Sequence, residues 1–160
     1  MEKEITEVYC GNGRGKTTLA IGQALRASSQ GKSVIIIQFL KGNERRELDF
    51  LEELDQLDIK IFRFEKMESC YDQLNEEEQA EEERNILNGL NFARKVIATQ
   101  ECDFLVLDEI LGLLDKHIAT VDMVVGLLKQ KDESMHLILT GNRVDPGILD
   151  YVDSVTTITT

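Results

Sequence analysis

Val34-Ile35-Ile36-Ile37 is a run of four β-branched residues with no polar side chain among them. Successive side chains on a strand point to opposite faces, so such a run suits a strand covered on both sides, as in a parallel sheet between helical layers. Similar apolar segments predict strands at Ile5–Cys10, Ser33–Phe39, Ile59–Phe64, Phe104–Asp108, Met135–Thr140 and Ser154–Thr159. Helical patterns lie between them. Lys16–Ser29 lines up Leu19, Ala20, Ala24 and Ala27 and ends before Gly31, a left-handed stop. Leu48, Leu51, Leu54 and Leu57 recur every third position around residues 44–57. Asn75 with Glu78 predicts a capping box opening a helix to about Thr99, Thr120 caps Val121–Gln130, and Asp145-Pro146 reads as a cap followed by proline at the first helical position. Alternating strands and helices in a chain of 160 residues, 42% apolar and with one proline, predict a single three-layer α/β domain over residues 1–160 with a mostly parallel sheet.

The first strand–helix junction carries the chemistry. Gly11-Asn12-Gly13-Arg14-Gly15-Lys16-Thr17-Thr18 has glycines that let the backbone curl and turn N–H groups toward phosphate oxygens. Lys16 adds a positive charge, and the helix that follows offers its N-terminus to an anion. Thr17 brings a hydroxyl to the position that ligates Mg²⁺ in such loops. Against the general phosphate-loop motif the run is one residue short, with Cys10 where the first glycine would stand. Far downstream, Phe104-Leu105-Val106-Leu107 runs into Asp108-Glu109. A buried strand of this kind delivers carboxylates at its C-terminal end, and hard oxygen ligands there suit Mg²⁺ on a triphosphate. Lys41 and Arg143 also follow strands and are placed to face the same ligand, Arg143 as a further candidate for an anion contact.

Charge supports this location. The chain has a formal net charge of −12, which argues against nucleic acid or an anionic membrane as the main partner. Yet residues 1–43 hold three acids and six bases, a net +3, whereas residues 44–85 hold sixteen acids and six bases. The acidic run Glu76–Glu83 reads as a solvated first stretch of helix, its carboxylates complementing the helix dipole. Cys10, Cys70 and Cys102 form neither a Cys-x-x-Cys pair nor a group with the isolated His117 and His136, which predicts no disulfide framework or zinc site. Cys10 is expected to be an ordinary buried strand residue. No stretch approaches the ~20 apolar residues of a membrane span, and Met1–Ile5 has no apolar run of the signal-peptide kind, so a cytoplasmic address is expected.

Taken together, Gly11–Thr18, the helix with Gly22 and Arg26, Val34–Gly42, Leu105–Glu109 and Leu139-Thr140-Gly141 resemble the P-loop ATP:corrinoid (cob(I)alamin) adenosyltransferases, in that family's order and over most of the chain. The shortened phosphate loop is itself the family's form. The resemblance implies a RecA-like P-loop NTPase fold and a transferase in which the Co(I) of a corrinoid attacks the 5′ carbon of ATP and inorganic triphosphate leaves. It implies that Gly11, Asn12, Gly13, Arg14, Gly15, Lys16, Thr17 and Thr18 bind the triphosphate, with Arg26 and Arg143 as weaker contacts. Thr17 and Glu109 would hold Mg²⁺ with Asp108 alongside, and Lys16, Thr17 and Glu109 would carry catalysis. ATP and a corrinoid are the expected substrates, with a flavoprotein reductant and a second copy of the chain as candidate partners. The sequence differs from the family pattern at Ser69-Cys70-Tyr71, where an aromatic stretch with tryptophan is usual, and at Asn142, where arginine is usual. Two other readings are open: a small-molecule kinase or NTPase, and a non-catalytic nucleotide- or corrinoid-binding relative.

Overall fold

A computed structural model describes residues 4–40, 51, 53, 56–67 and 69–160. Its frame is one six-stranded sheet built from β1 (Thr6–Cys10), β2 (Val34–Gln38), β3 (Ile59–Arg63), β4 (Phe104–Asp108), β5 (His136–Thr140) and β6 (Ser154–Thr157). The spatial order is β3-β2-β4-β5-β1-β6 and every pairing is parallel. Each predicted strand is present, β4 with the expected bounds and the other five one or two residues shorter. At β6 the shortening has a cause: Thr157 stands opposite Cys10, the last residue of β1, so no partner strand continues beyond it, and the Ile158 carbonyl accepts instead from the Gly13 N–H of the first loop at 2.9 Å.

Helix α1 (Lys16–Ser29) covers one face. Its small buried residues Ala20, Ala24 and Ala27 let it approach Tyr9, Val34, Ile36, Val106 and Ile138. It stops as the sequence predicts, with Gly31 at φ +84° and the Lys32 N–H returned to the Ala27 carbonyl at 3.1 Å. The other face carries α2 (Glu76–Thr99), α3 (Ile110–Asp115), α4 (Val121–Gln130) and α5 (Pro146–Leu149), packed on Ile35, Ile37, Leu105, Leu107, Leu137 and Leu139. Adjacent β-branched and leucine residues thus feed two separate cores, which is what a continuous apolar run makes possible.

The capping expectations hold. Asn75 Oδ1 accepts from the Glu78 N–H at 2.8 Å while Glu78 Oε1 accepts from the Asn75 N–H at 3.1 Å. Thr120 and Asp145 accept from the Met123 and Gly147 N–H groups. Helix α3 has no signature in the sequence, because Ile110, Leu111, Gly112 and Leu113 are all buried and present no polar face for a helical period. The acidic run departs from its solvated reading at two places. Glu82 is buried, with its carboxylate accepting from the Lys66 N–H at 3.1 Å and Asn85 Nδ2 at 2.9 Å, and Glu83 accepts the Tyr71 hydroxyl. These two carboxylates tie the chain before α2 onto that helix. Most of the helix expected around residues 44–57 lies outside the described residues, as do Lys41 and Gly42; Leu51 is buried against the α1-side core. Among the described residues no helix is long and apolar enough to cross a membrane.

Candidate functional site

The glycine-rich loop joins β1 to α1 at the C-terminal edge of the sheet, where every strand of a parallel sheet delivers its last residue. Gly11 and Gly15 adopt φ of +113° and +106°, a region in which a side chain would be strained. At Gly11 there is also no room, since a Cβ would lie 2.1 Å from the Ile158 carbonyl oxygen. The Gly11 N–H donates to the Asn142 carbonyl at 2.8 Å and the Gly13 N–H to the Ile158 carbonyl at 2.9 Å. These two N–H groups pin the loop in place. Anion-directed donors therefore come from the far side of the loop and from the start of α1, whose N-cap is Gly15. Asn12, Arg14, Gly15 and Thr18 are exposed there, while Lys16 and Thr17 are half-buried.

Lys16 Nζ donates to the Gly11 carbonyl at 2.6 Å and to Asn142 Oδ1 at 2.9 Å, which leaves the third proton of the ammonium for an anion. The Thr17 hydroxyl donates to Asp108 Oδ1 at 2.9 Å. Strand β5 stands between β1 and β4, so the phosphate loop and the Asp108 strand are not neighbours; α1 bridges them by laying its first turn over β5.

Asp108 is 1% exposed. A buried carboxylate costs several kcal/mol unless its oxygens are satisfied, and here the donors are present. Thr17 and Thr140 hydroxyls reach Oδ1 at 2.9 and 2.7 Å, and Gln38 Nε2 reaches Oδ2 at 3.2 Å. Thr140 Oγ1 in turn accepts the Glu109 N–H at 2.8 Å and helps hold Glu109 at φ +64°. The Thr17 hydroxyl oxygen beside Asp108 has the chemistry that a Mg²⁺·triphosphate calls for, because Mg²⁺ keeps several waters and needs one or two protein oxygens beside the phosphates; Glu109 Oε2 stands over Gly112, 3.1 Å from where a Cβ there would lie. Among the described residues no group of three or more His, Cys, Asp or Glu side chains could hold a metal by itself. Cys10, beside the loop, is a buried strand residue whose Sγ lies 3.6 Å from Thr157 Oγ1.

The two weaker anion contacts expected from the sequence differ in place. Arg26 lies ten residues along α1 from Lys16, about 15 Å away, and lines a small cavity with Gln30, Phe104 and His136 at the opposite edge of the sheet. A helix carries its last turn away from what its first turn touches. Arg143 is at the correct edge, but its Nε donates to Asp115 Oδ1 at 2.8 Å, and this bond holds the guanidinium proton more firmly still. Gln38, Thr140 and Asn142 are site residues that motif reading did not single out. Gln38 and Thr140 are polar ends of apolar strands and Asn142 follows two residues after Thr140, but which of these ends meet is decided by the sheet order.

Related proteins bear on what this loop serves. Residues 2–160 match the family model of the ATP:corrinoid adenosyltransferases BtuR/CobO/CobP. The chain belongs to this family. Among the adenosyltransferases it resembles is the corrinoid adenosyltransferase of Escherichia coli K12, 30% identical over an alignment of 159 residues that covers 96% of this chain and 76% of that one. The corrinoid adenosyltransferase CobA of Salmonella typhimurium LT2 is 29% identical over 157 residues, with the same coverage. A solved KaiC-like protein from Pyrococcus horikoshii OT3 superposes with a TM-score of 0.65 at 19% identity, over 98% of this chain and 72% of that one. That likeness speaks for the fold, a RecA-like P-loop architecture, as the sequence of this adenosyltransferase family member predicts.

Proposed function

We propose that this chain transfers the 5′-deoxyadenosyl group of ATP to the Co(I) of a corrinoid. The cobalt electron pair forms the bond to C5′, the C5′–O bond breaks, and its electrons leave on inorganic triphosphate. The observation that carries this reading is the Thr17–Asp108 hydrogen bond beside Lys16, a triphosphate cradle within a chain that matches the adenosyltransferase family from residue 2 to residue 160.

The chain's own groups act on the leaving group. Lys16 and the N–H groups at the start of α1 meet charge that grows on the departing oxygens, and fixed donors stabilise such charge without reorganising. Asp108 holds the proton of the Thr17 hydroxyl, which turns the hydroxyl oxygen outward, and Glu109 presents a second oxygen at the same edge. Mg²⁺ held by Thr17 and Glu109, with Asp108 alongside, would supply further neutralisation of the triphosphate. A kinase uses the same cradle to position a γ-phosphoryl group; here the bond that breaks is at the other end of the chain of phosphates. The corrinoid must arrive as Co(I), so a flavoprotein reductant belongs to this reading, as do a cytoplasmic address and a second copy of the chain as partner.

The test is incubation with MgATP and chemically reduced cobalamin. Adenosylcobalamin with inorganic triphosphate is the expected outcome. ADP with phosphate, or a phosphorylated acceptor, would identify a kinase or NTPase instead, and tight ATP binding without turnover would identify a non-catalytic relative. Lys16→Ala is expected to lose both binding and transfer.

A further inference from the structure

Four adjacent strands, β3, β2, β4 and β5, each end with a polar side chain on the α1 face. Arg63 stands opposite Gln38, and Gln38 opposite Asp108, in the strand register; Thr140 lies one rung past the Leu107–Leu139 pair. A continuous hydrogen-bonded row results. Arg63 Nε donates to Gln38 Oε1 at 3.0 Å, Gln38 Nε2 donates to Asp108 Oδ2 at 3.2 Å, and Asp108 Oδ1 takes the Thr140 and Thr17 hydroxyls. Gln38 is 4% exposed, so this amide works in a dry environment.

Resting on the ATP-binding role of the loop argued above, we propose that Gln38, held by Arg63, is a positioning residue for Asp108. Through Asp108 it aims the Thr17 hydroxyl oxygen at the metal-bound triphosphate. A guanidinium can only donate, so the Gln38 carbonyl must face Arg63. That fixes the amide orientation and commits its NH₂ group to Asp108. With Oδ2 held there, Oδ1 points at Thr17 and Thr140, and the Thr17 proton is used inside the protein. The hydroxyl lone pairs are then turned toward the ligand. Without the amide donor a buried carboxylate oxygen loses a partner, and the carboxylate is no longer fixed in rotation.

Gln38→Met keeps the volume and removes the amide; Gln38→Glu keeps the shape and replaces the donor by an acceptor 3.2 Å from Asp108 Oδ2. The readout is ATP affinity by equilibrium titration, with and without Mg²⁺, together with cooperative thermal unfolding to show that each variant is folded. Both variants are expected to need about ten-fold or more higher Mg²⁺ for half-maximal tightening of ATP binding, the usual scale for loss of a group that orients a metal ligand. For Gln38→Met the loss of ATP affinity should be larger with Mg²⁺ than without it, a selectivity that a general structural defect would not produce. Arg63→Met should shift the Mg²⁺ requirement in the same direction, and it carries the test if a Gln38 variant does not fold. Wild-type Mg²⁺ dependence in folded variants overturns the positioning role while the ATP-binding reading stands. If the wild-type protein itself does not bind ATP, the reading on which the role rests falls first, and the role with it.

Discussion

Thr17 and Asp108 lie 91 residues apart in the chain, and the Thr17 hydroxyl donates to Asp108 Oδ1 at 2.9 Å. The bond fastens the first turn of α1 to the end of β4, so the phosphate loop and the carboxylate strand hold one geometry although β5 separates their strands. Thr17→Ser keeps the hydroxyl, and Thr17→Ala removes it. The expected result is near-normal Mg²⁺-dependent ATP binding for serine and a loss on the order of ten-fold or more for alanine. Titration with MgATP checks it, and equal affinities for the two variants would show that the hydroxyl has no part in binding.

Gly11→Ala is predicted to disable the loop. The backbone there is at φ +113°, and the added Cβ would sit 2.1 Å from the Ile158 carbonyl oxygen. That obstacle is backbone and cannot rotate away, so the loop and the residues after β6 must separate. Left-handed strain alone costs about 1–2 kcal/mol. The variant should unfold at lower temperature and bind ATP weakly. Gly15→Ala is a useful contrast, because no atom lies within 4 Å of the place its Cβ would take and only the strained φ of +106° opposes the substitution.

The strands, the capped helices and the loop were legible because each is written locally: apolar runs, Asn75 with Glu78, and glycines ahead of Lys16. Asp108 was legible as the polar end of an apolar strand. Its partners were not, because Gln38, Thr140 and Arg63 become neighbours only through the order β3-β2-β4-β5. Local pattern fixes which residue ends a strand, and only the sheet order decides which ends meet. Arg26 is the same case in reverse: it follows the loop closely in sequence, but the helix carries it to the opposite edge.

Removal of the Asn75 cap should cost stability without touching the site. Its side chain satisfies the Glu78 N–H, and Glu78 returns the bond to the Asn75 N–H. Asn75→Ala should destabilise the fold by about 1 kcal/mol, measured as a lower urea midpoint at unchanged slope, with ATP affinity unaffected. Asn75→Asp should recover most of the loss.

The three thiols should react in a fixed order. Cys70 is exposed, whereas Cys10 and Cys102 are buried. Burial pushes the Cys102 thiol up to about 12, so it stays protonated and unreactive under ordinary conditions. A thiol-specific reagent should label one site in the native protein and three after denaturation. Mass mapping that found Cys102 modified before Cys70 would contradict the packing around the start of β4.

Acid should weaken the edge of the sheet opposite the site, beginning at Glu4. The Lys32 ammonium donates to Glu4 Oε1 at 2.9 Å, and His136 Nδ1 lies 3.2 Å from Oε2. The bond from Lys32, followed by that from His136, holds the Glu4 carboxyl below its ordinary value of 4.5 against the opposing effect of burial. A carboxylate whose pKa is lower in the folded state binds protons less readily there than in the unfolded chain, so its contribution is fully present above the unfolded value. It is lost as pH falls through the folded value. Glu4→Gln should therefore be less stable than the wild type near neutral pH, and the two should converge as pH drops below about 4.5. The pair is partly exposed, at 35% for Lys32 and 30% for Glu4, so the difference should also shrink in high salt. Urea unfolding of both proteins across this range decides the matter: a gap that persists undiminished at low pH would mean that Glu4 acts through packing and not through its charge.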